Sequence, residues 1–253
     1  MASENGHKGI VELLLSRSDV DVNLEDANGE TALFTAFKNG REEIVKLLLA
    51  RNDLDIDLQD ISSRAALFAA SGNGKEEIVK LLLARSDVII NLQDGFGRTA
   101  VFVASRNAHE GIVRALLSRS NVDINLQVAN GETALFVASK NGHDGIVKSL
   151  LSRNDVAVNT TTWDKSRSQT ALLVASENGC EGVVRLLLSR SDVDFNLRDA
   201  DGKQQFLRRL RMGMKELSDC FSAEAILLSI RLSFGLPADG IKRFSFCFSL
   251  GAV

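Results

Sequence analysis

A four-residue motif recurs along the chain at a constant spacing, and this repetition constrains the fold more than any other feature. Thr-Ala-Leu-Phe begins at Thr31 and again at Thr133, with degenerate copies between them. The alanines at its second position are spaced by 34 residues: Ala32, Ala66, Ala100 and Ala134. A further copy begins at Thr170, after three added residues in the stretch 160–168. Such a period predicts an array of repeats rather than a single globular core.

Each unit carries two segments with helical periodicity. In the first, 31–39, Thr31 is a suitable N-cap, and Asn39-Gly40 tolerates the left-handed backbone that ends helices. In the second, 41–51, acidic residues come first and Arg51 comes last, which complements the helix dipole. An alternating stretch and a hairpin-like turn follow each second segment. Since neither short helix can bury its apolar face within one unit, we expect an all-α solenoid of stacked units.

The unit resembles the ankyrin repeat, which has Thr-x-Leu at the start of a short helix, Asn-Gly between the helices and a leucine run in the second helix. The resemblance implies an ankyrin-type helix-turn-helix solenoid with hairpin-like loops over residues 1–202. Thr-Ala-Leu-Phe replaces the family's Thr-Pro-Leu-His, and the extra residue after each leucine run resembles ankyrin arrays of fungal multidomain proteins. The register gives six repeats, the first of them partial: 1–28, 29–62, 63–96, 97–130, 131–167 and 168–202.

The composition excludes several classes of protein. Three cysteines in 253 residues are too few for a disulfide scaffold and favour a reducing compartment. A formal net charge of −3 leaves no electrostatic footprint for nucleic acid or anionic lipid. No apolar run approaches the roughly 20 residues of a membrane span, and the N-terminus lacks the apolar core of a secretory signal. We therefore expect a cytoplasmic or nucleocytoplasmic protein that is monomeric.

No catalytic or metal-binding constellation stands out from the repeat. His7, His109 and His143 all follow the turn between the two helices, at a position that Arg41 and Lys75 occupy in other copies. A catalytic or metal site would not tolerate this exchange, which favours a role at the start of the helix. The three cysteines lack ligand spacing. The sequence predicts no enzyme, no cofactor and no metal site.

The tail, residues 203–253, breaks the period and contains the only proline. Read one base out of frame, the codons that its residues permit include a seventh repeat in register, Thr-Ala-Val-Phe-Ala-Ala-Ser-Glu-Asn-Gly-His. We hypothesise that one base was lost near Lys203, by a natural mutation or by an error in sequencing or gene modelling. Apolar residues spaced by three or four within 204–232 predict either a helix that caps the open end of the array or an accidental pattern.

Equivalent positions in the copies, which we call slots, divide into those that repeat and those that vary. Repeating slots maintain the fold, whereas varying slots are free for function. The motif's phenylalanines, such as Phe34, are expected to pack in the core between repeats rather than to form an aromatic ladder for a ligand. The varying slots lie at hairpin tips and first-helix ends, which line one concave surface in ankyrin-like folds. The candidate partner-binding residues are Asn28, Lys38, Arg64, Phe96, Arg98, Arg106, Asn130, Lys140, Trp163, Arg167 and Glu177.

Two readings of function follow from these slots. In the first, the chain is a non-catalytic scaffold that binds an unidentified protein on its concave face, with the aromatic residues Phe96 and Trp163 as hot spots. Trp163 alternatively packs on its own hairpin, and Lys38, Arg106 and Lys140 form either a basic stripe for an acidic partner or a solvated face. In the second, the chain is a truncated slice of a larger sensor or signalling protein, with no partner of its own.

The frameshift hypothesis makes a prediction about the gene. Every codon between residues 203 and 226 should be one that permits the in-register residue in the shifted frame. Sequencing the coding DNA checks this, and codons that give unrelated residues would contradict the hypothesis. The two shifted residues that begin with the last base of Met212 and of Met214 do not test the hypothesis, because methionine has a single codon and the residue that follows each one then fixes them as Gly and Glu.

Overall fold

The computed structural model describes residues 1–163 and 168–194, and in this part of the chain all regular secondary structure is α-helical. The helices form six consecutive pairs, which confirms the predicted all-α arrangement. They are α1 (Ala2–Asn5) and α2 (Lys8–Leu15), α3 (Ala32–Lys38) and α4 (Glu42–Leu49), α5 (Ala66–Gly72) and α6 (Glu76–Leu83), α7 (Ala100–Arg106) and α8 (Glu110–Leu117), α9 (Ala134–Lys140) and α10 (Asp144–Leu151), and α11 (Ala171–Glu177) and α12 (Glu181–Leu188). The tail, with its expected helix within 204–232, lies outside the described residues.

The first helix of each pair begins where the sequence predicts a cap. The Thr31 hydroxyl accepts the backbone N–H of Phe34 at 3.2 Å. The same cap begins three other first helices, at Thr99, Thr133 and Thr170. Ala65 has no side-chain oxygen, so α5 lacks this bond. A left-handed residue ends the turn between the helices: it is glycine in five pairs, as at Gly40 with a φ of 68°, and Ala108 with a φ of 63° in the pair of α7 and α8.

The apolar core lies between consecutive pairs. Helix α3 packs between α1 and α5, and α4 packs between α2 and α6. The first helices contribute alanines that are fully buried: Ala36, Ala70, Ala104, Ala138 and Ala175. The second helices contribute leucines that are at most 2% exposed: Leu48, Leu82, Leu116, Leu150 and Leu187. Each repeat therefore completes the core of its neighbours, as in a one-dimensional array.

From α4 onward, an arginine after each second helix binds the preceding repeat. Arg51 Nη1 donates to the carbonyls of Leu15 and Arg17, at 3.1 and 3.2 Å, where α2 ends. Two bonds to the Asp53 carboxylate, at 2.8 and 2.6 Å, hold the guanidinium in place. Arginines bind the preceding repeat at four later junctions: Arg85, Arg119, Arg153 and Arg190. Because the last carbonyls of a helix find no partner inside it, these arginines satisfy acceptors that the helix leaves open.

An asparagine in the loop after four of the second helices bonds to the following repeat. The Asn23 amide donates to the Asp53 carbonyl at 2.7 Å and accepts the Asp55 N–H at 2.8 Å. The same two-bond junction recurs at Asn91, Asn125 and Asn159. Asp57 takes this slot in the second repeat and accepts the Ile89 N–H, but a carboxylate cannot donate. Burial raises the pKa of Asp57, and the bond from Ile89 only partly offsets this effect.

We expect Asp57→Asn to raise the free energy of unfolding by about 1 kcal/mol, because the amide adds a donor for the Asp87 carbonyl. The gain should be larger at neutral pH than in acid. Since the pKa of folded Asp57 is raised, the protein loses stability as the pH rises from the ordinary aspartate value of about 3.9 through the folded value. The Asp57→Asn variant avoids this loss of stability, because asparagine does not titrate. Urea denaturation at neutral and acidic pH measures both effects.

The matched control is the reverse change at an equivalent junction, Asn91→Asp. It removes the donor to the Asn121 carbonyl and should destabilise the protein by a similar amount. A neutral or destabilising Asp57→Asn would show that the amide junction does not contribute as the geometry indicates.

Candidate protein-binding surface

The varying slots gather on one face, which we call the variable face. It consists of the hairpin tips, such as 26–30, together with the C-terminal ends of the first helices. Within a repeat the two parts are in contact, since Lys38 Nζ lies 2.7 Å from Glu30 Oε1 and Lys140 Nζ lies 3.2 Å from Glu132 Oε1. In the repeat that contains α11, the Gln169 amide donates to the carboxylate of Glu177, which is exposed.

Backbone hydrogen bonds join several of the tips to one another. The Ile61 N–H donates to the Asn28 carbonyl at 3.1 Å, and the Trp163 N–H donates to the Asn130 carbonyl at 3.0 Å. Ala129 makes the same bond to Phe96. Trp163 therefore occupies the slot of Ile61 and Ala129, one residue before the tip slot in which the sequence alignment places it. The inserted residues that follow Trp163 account for the shift. Arg167 lies outside the described residues.

The proposed basic stripe is largely neutralised by its own hairpins. Lys38 and Lys140 pair with glutamates, as above, and Gly72 supplies no charge in the slot between Lys38 and Arg106. Arg106 is exposed and forms no ion pair within the part of the chain that the structure describes. The three cations thus do not form a continuous stripe, and Arg106 alone of them keeps its charge uncompensated by a described carboxylate.

Two arginines at the tips bind aspartates of their own hairpins. Arg64 donates twice to Asp60 Oδ2, at 2.8 and 2.5 Å. Asp60 also accepts the backbone N–H groups of Ser62 and Arg64, both at 2.9 Å. Burial acts to raise the pKa of Asp60, but these hydrogen bonds outweigh it, so the pKa lies below its ordinary value. Arg98 binds Asp94 in the same way, at 2.8 and 2.6 Å.

Phe96, Arg98 and Phe68 form a layered arrangement that we call the aromatic stack. The Arg98 guanidinium carbon lies 5.0 Å from the centre of the Phe96 ring and 5.6 Å from that of Phe68. Phe96 is 65% exposed, whereas Phe68 is buried. Because Asp94 fixes Arg98, cation–π contact holds an exposed aromatic ring in a defined place.

Trp163 is also exposed, at 58%, and its indole contacts the preceding tip at Gly131. Its indole Cδ1 is 2.8 Å from the position that a side-chain carbon on residue 131 would take. Only glycine allows this approach, and Gly131 also has a φ of 83°. Asn28 and Asn130 are exposed at their tips, and their carbonyls carry the bonds between tips.

The motif's phenylalanines belong to the core, as predicted. They are at most 8% exposed: Phe34, Phe68, Phe102 and Phe136. The histidines at the turn have a second role, which their sequence position did not predict. His109 Nε2 lies 3.2 Å from the Gly72 carbonyl, and His143 Nε2 lies 3.3 Å from that of Arg106, so both bridge to the preceding repeat. The histidine slot lies about one repeat after the last carbonyls of the preceding first helix, which have no partner inside that helix. That spacing is the sequence signal for this bridge.

The described residues contain no group of three or more His, Cys, Asp or Glu side chains that would hold a metal ion. None of the described helices has the length and apolar character that crossing a membrane requires.

Stacked helix pairs with one variable face define a helical repeat protein. The family model for ankyrin repeats (three copies) matches residues 1–60, 49–128 and 118–199. The chain therefore belongs to the ankyrin repeat family, as its sequence resemblance predicted. Ankyrin repeats are in general modules for protein–protein interaction, and the family is typically non-enzymatic.

Solved ankyrin structures share this fold. The crystal structure of EF0377, an ankyrin repeat protein, has 28% sequence identity and a TM-score of 0.67 over 74% of this chain and 94% of its own. An ankyrin repeat domain (ABAYE2397) from Acinetobacter baumannii AYE has 25% identity and a TM-score of 0.68, over 75% of this chain and 95% of its own. No curated protein matches the sequence.

We expect Asp60→Asn to lower the free energy of unfolding by about 1–2 kcal/mol at neutral pH, because Arg64 loses a charged acceptor. The folded pKa of Asp60 is lowered, so its contribution is present above the ordinary value of about 3.9 and is lost as the pH falls through the folded value. The cost of the variant should therefore shrink in acid. Urea denaturation across this pH range measures it.

Asp19→Asn serves as the control, since Asp19 and Arg17 form an ion pair that is exposed on both sides. It should cost less than Asp60→Asn at neutral pH. An equal cost, or a cost of Asp60→Asn that persists unchanged in acid, would contradict a stabilising role for the buried Asp60 carboxylate and its bond to Arg64.

Proposed function

We propose that this ankyrin repeat array is a non-catalytic interaction module that holds a protein partner on its variable face, the concave face of ankyrin folds. The observation that carries the proposal is the contrast between slots. Side chains that repeat are buried or bond one repeat to the next, whereas those that vary stand at the tips and helix ends. In a solenoid such a surface is available for recognition.

Exposed apolar side chains at the tips support this proposal. Ile61, Phe96 and Trp163 are 77%, 65% and 58% exposed. Aromatic residues are enriched among interface hot spots. Arg98 already orders Phe96, and the tip at Gly131 already contacts Trp163, so both lose little conformational freedom when a partner binds. The other proposed contacts are Asn28, Lys38, Arg64, Arg106, Asn130, Lys140, Arg167 and Glu177.

A second candidate is that the chain is a slice of a larger sensor or signalling protein without a partner of its own. The open face of α2 favours it. Ile10 and Leu14 are 52% and 43% exposed, whereas their equivalents Ile44 and Leu48 are each 2% exposed beneath the preceding repeat. The use of only three cysteines favours a reducing, cytoplasmic or nucleocytoplasmic setting for either candidate.

We expect Phe96→Ala and Trp163→Ala each to weaken partner binding by about tenfold, the effect of removing an interface hot spot. Quantitative affinity capture with the immobilised chain identifies the partner, and titration of that partner against each variant measures the loss. Ile89→Ala is the matched control. Ile89 is 54% exposed in the loop after α6, outside the tips, and its loss should leave binding unchanged.

Two outcomes would favour the second candidate instead. One is that no protein is retained in proportion to the immobilised chain. The other is that a retained protein is lost equally with Ile89→Ala and with the two aromatic variants.

A further inference from the structure

The junction between α3 and α5 differs from the later junctions between first helices. At those, the asparagine after one first helix donates to the last carbonyl of the preceding first helix. Asn107 bonds to Gly72 at 2.8 Å. Asn141 and Asn178 repeat this bond in later repeats. Asn73, the equivalent residue, makes no such bond to Lys38, and within the described part of the chain its side chain has no hydrogen-bond partner.

Phe37 accounts for this difference. It is 1% exposed and packs edge-on against Phe34, with ring centres 4.7 Å apart. In the other described pairs from α5 onward the same slot holds a serine: Ser71, Ser105, Ser139 and Ser176. A phenyl ring needs more room than a hydroxymethyl group in a close-packed interior. A groove of about 500 Å³ opens here, between α3 and α5.

The rim of this groove is cationic. Lys38, Arg64 and Lys75 line it together with the amide of Asn73, above a floor that includes Phe37. None of the described lining residues carries a carboxylate.

The three cations differ in whether they already have a partner. Lys38 and Arg64 pair with Glu30 and Asp60 from their own hairpins. Lys75 is half-buried and forms no ion pair among the described residues. Its Nζ reaches toward the preceding turn, 3.9 Å from where a side-chain carbon on Gly40 would lie. The groove thus holds one cation and one amide that have no partner in the described chain.

We propose that this groove anchors an acidic peptide segment of the partner, with an aspartate or glutamate carboxylate bound by Lys75 and Asn73. The proposal rests on the proposed function, because it places part of the partner on the variable face. Charge complementarity selects the occupant. The whole chain has a net charge of −3, which repels an acidic segment in general. The groove attracts it, so the position and register of the bound segment are set by the groove. The aromatic floor strengthens the attraction by lowering the local dielectric constant.

The test uses the intact chain and a displayed library of random peptides. Enriched peptides should be rich in Asp and Glu around one position. A fluorescein-labelled copy of the most enriched peptide is then compared with its amide counterpart, in which Asn and Gln replace Asp and Glu. Fluorescence anisotropy should show that the amide peptide binds about tenfold more weakly, as expected for the loss of a charged contact.

Variants of Lys75 locate the site. Lys75→Glu should weaken binding of the acidic peptide by about tenfold or more, and Lys75→Gln by a few-fold. Lys148→Gln is the matched control, because Lys148 is exposed on α10, far from α3 in the chain, and forms no ion pair among the described residues. The same change of charge there should leave affinity unchanged. Circular dichroism confirms that each variant is folded.

Equal binding of the acidic and amide peptides, or binding that the Lys75 variants do not change, would overturn the proposal that the groove anchors an acidic segment. If such a peptide still loses affinity with Phe96→Ala, the proposed function stands and only the groove is wrong. If the library enriches no peptide on the folded chain, the groove is wrong, and the capture experiment with Phe96→Ala decides the proposed function separately.

Discussion

Stacking of one helix pair on the next is the interaction on which the rest of the structure depends. A seven- or eight-residue helix is too short to be stable alone in water, and each first helix, with its buried alanine, packs on the first helices of neighbouring repeats. The polar junctions follow the same geometry. Arg51 reaches back to the end of α2, and Asn23 reaches forward to the loop of the next repeat. The free energy of unfolding is therefore close to a sum of contributions from single repeats and from the interfaces between adjacent repeats.

This rule explains why the variable face can vary. The ion pairs on this face join residues that are close in sequence, as Glu30 pairs with Lys38 and Asp94 pairs with Arg98. A change at such a pair therefore needs compensation only a few residues away, whereas Trp163 also depends on Gly131 in the preceding tip. The groove departs from this rule, because it arises where Phe37 alters a junction. There the departure from the repeat leaves Asn73 and Lys75 without partners in the described chain, so a structural irregularity coincides with unmatched donors.

Much of the fold could be predicted from the sequence, because its determinants are local or periodic. Thr31 and its equivalents mark the helix starts, and the slot of Phe34 marks the core. The polar junctions could not be predicted, because Arg51 and Asn23 bond to residues about thirty positions away. A spacing in the sequence does not show which atoms meet. The predicted slot of Trp163 was wrong by one residue. The insertion in this hairpin obscures the register in the sequence, and the backbone bond to Asn130 reveals it. The groove could not be foreseen either, since it depends on the room that one ring takes.

The two-sided junctions have a consequence for how such a gene changes length. Within the described chain, a unit such as that of Arg51 carries both a donor for the unit before it and acceptors for the unit after it: Arg51 donates to the Leu15 carbonyl, and the Arg51 carbonyl accepts from Arg85. Unequal recombination that duplicates or deletes a whole unit therefore rejoins matching halves, and no second mutation is needed to restore the contact. Gain and loss of entire units should be tolerated more readily than insertions inside one, which alter the register of a tip. Array length is thus the property that this architecture leaves most open to evolutionary change.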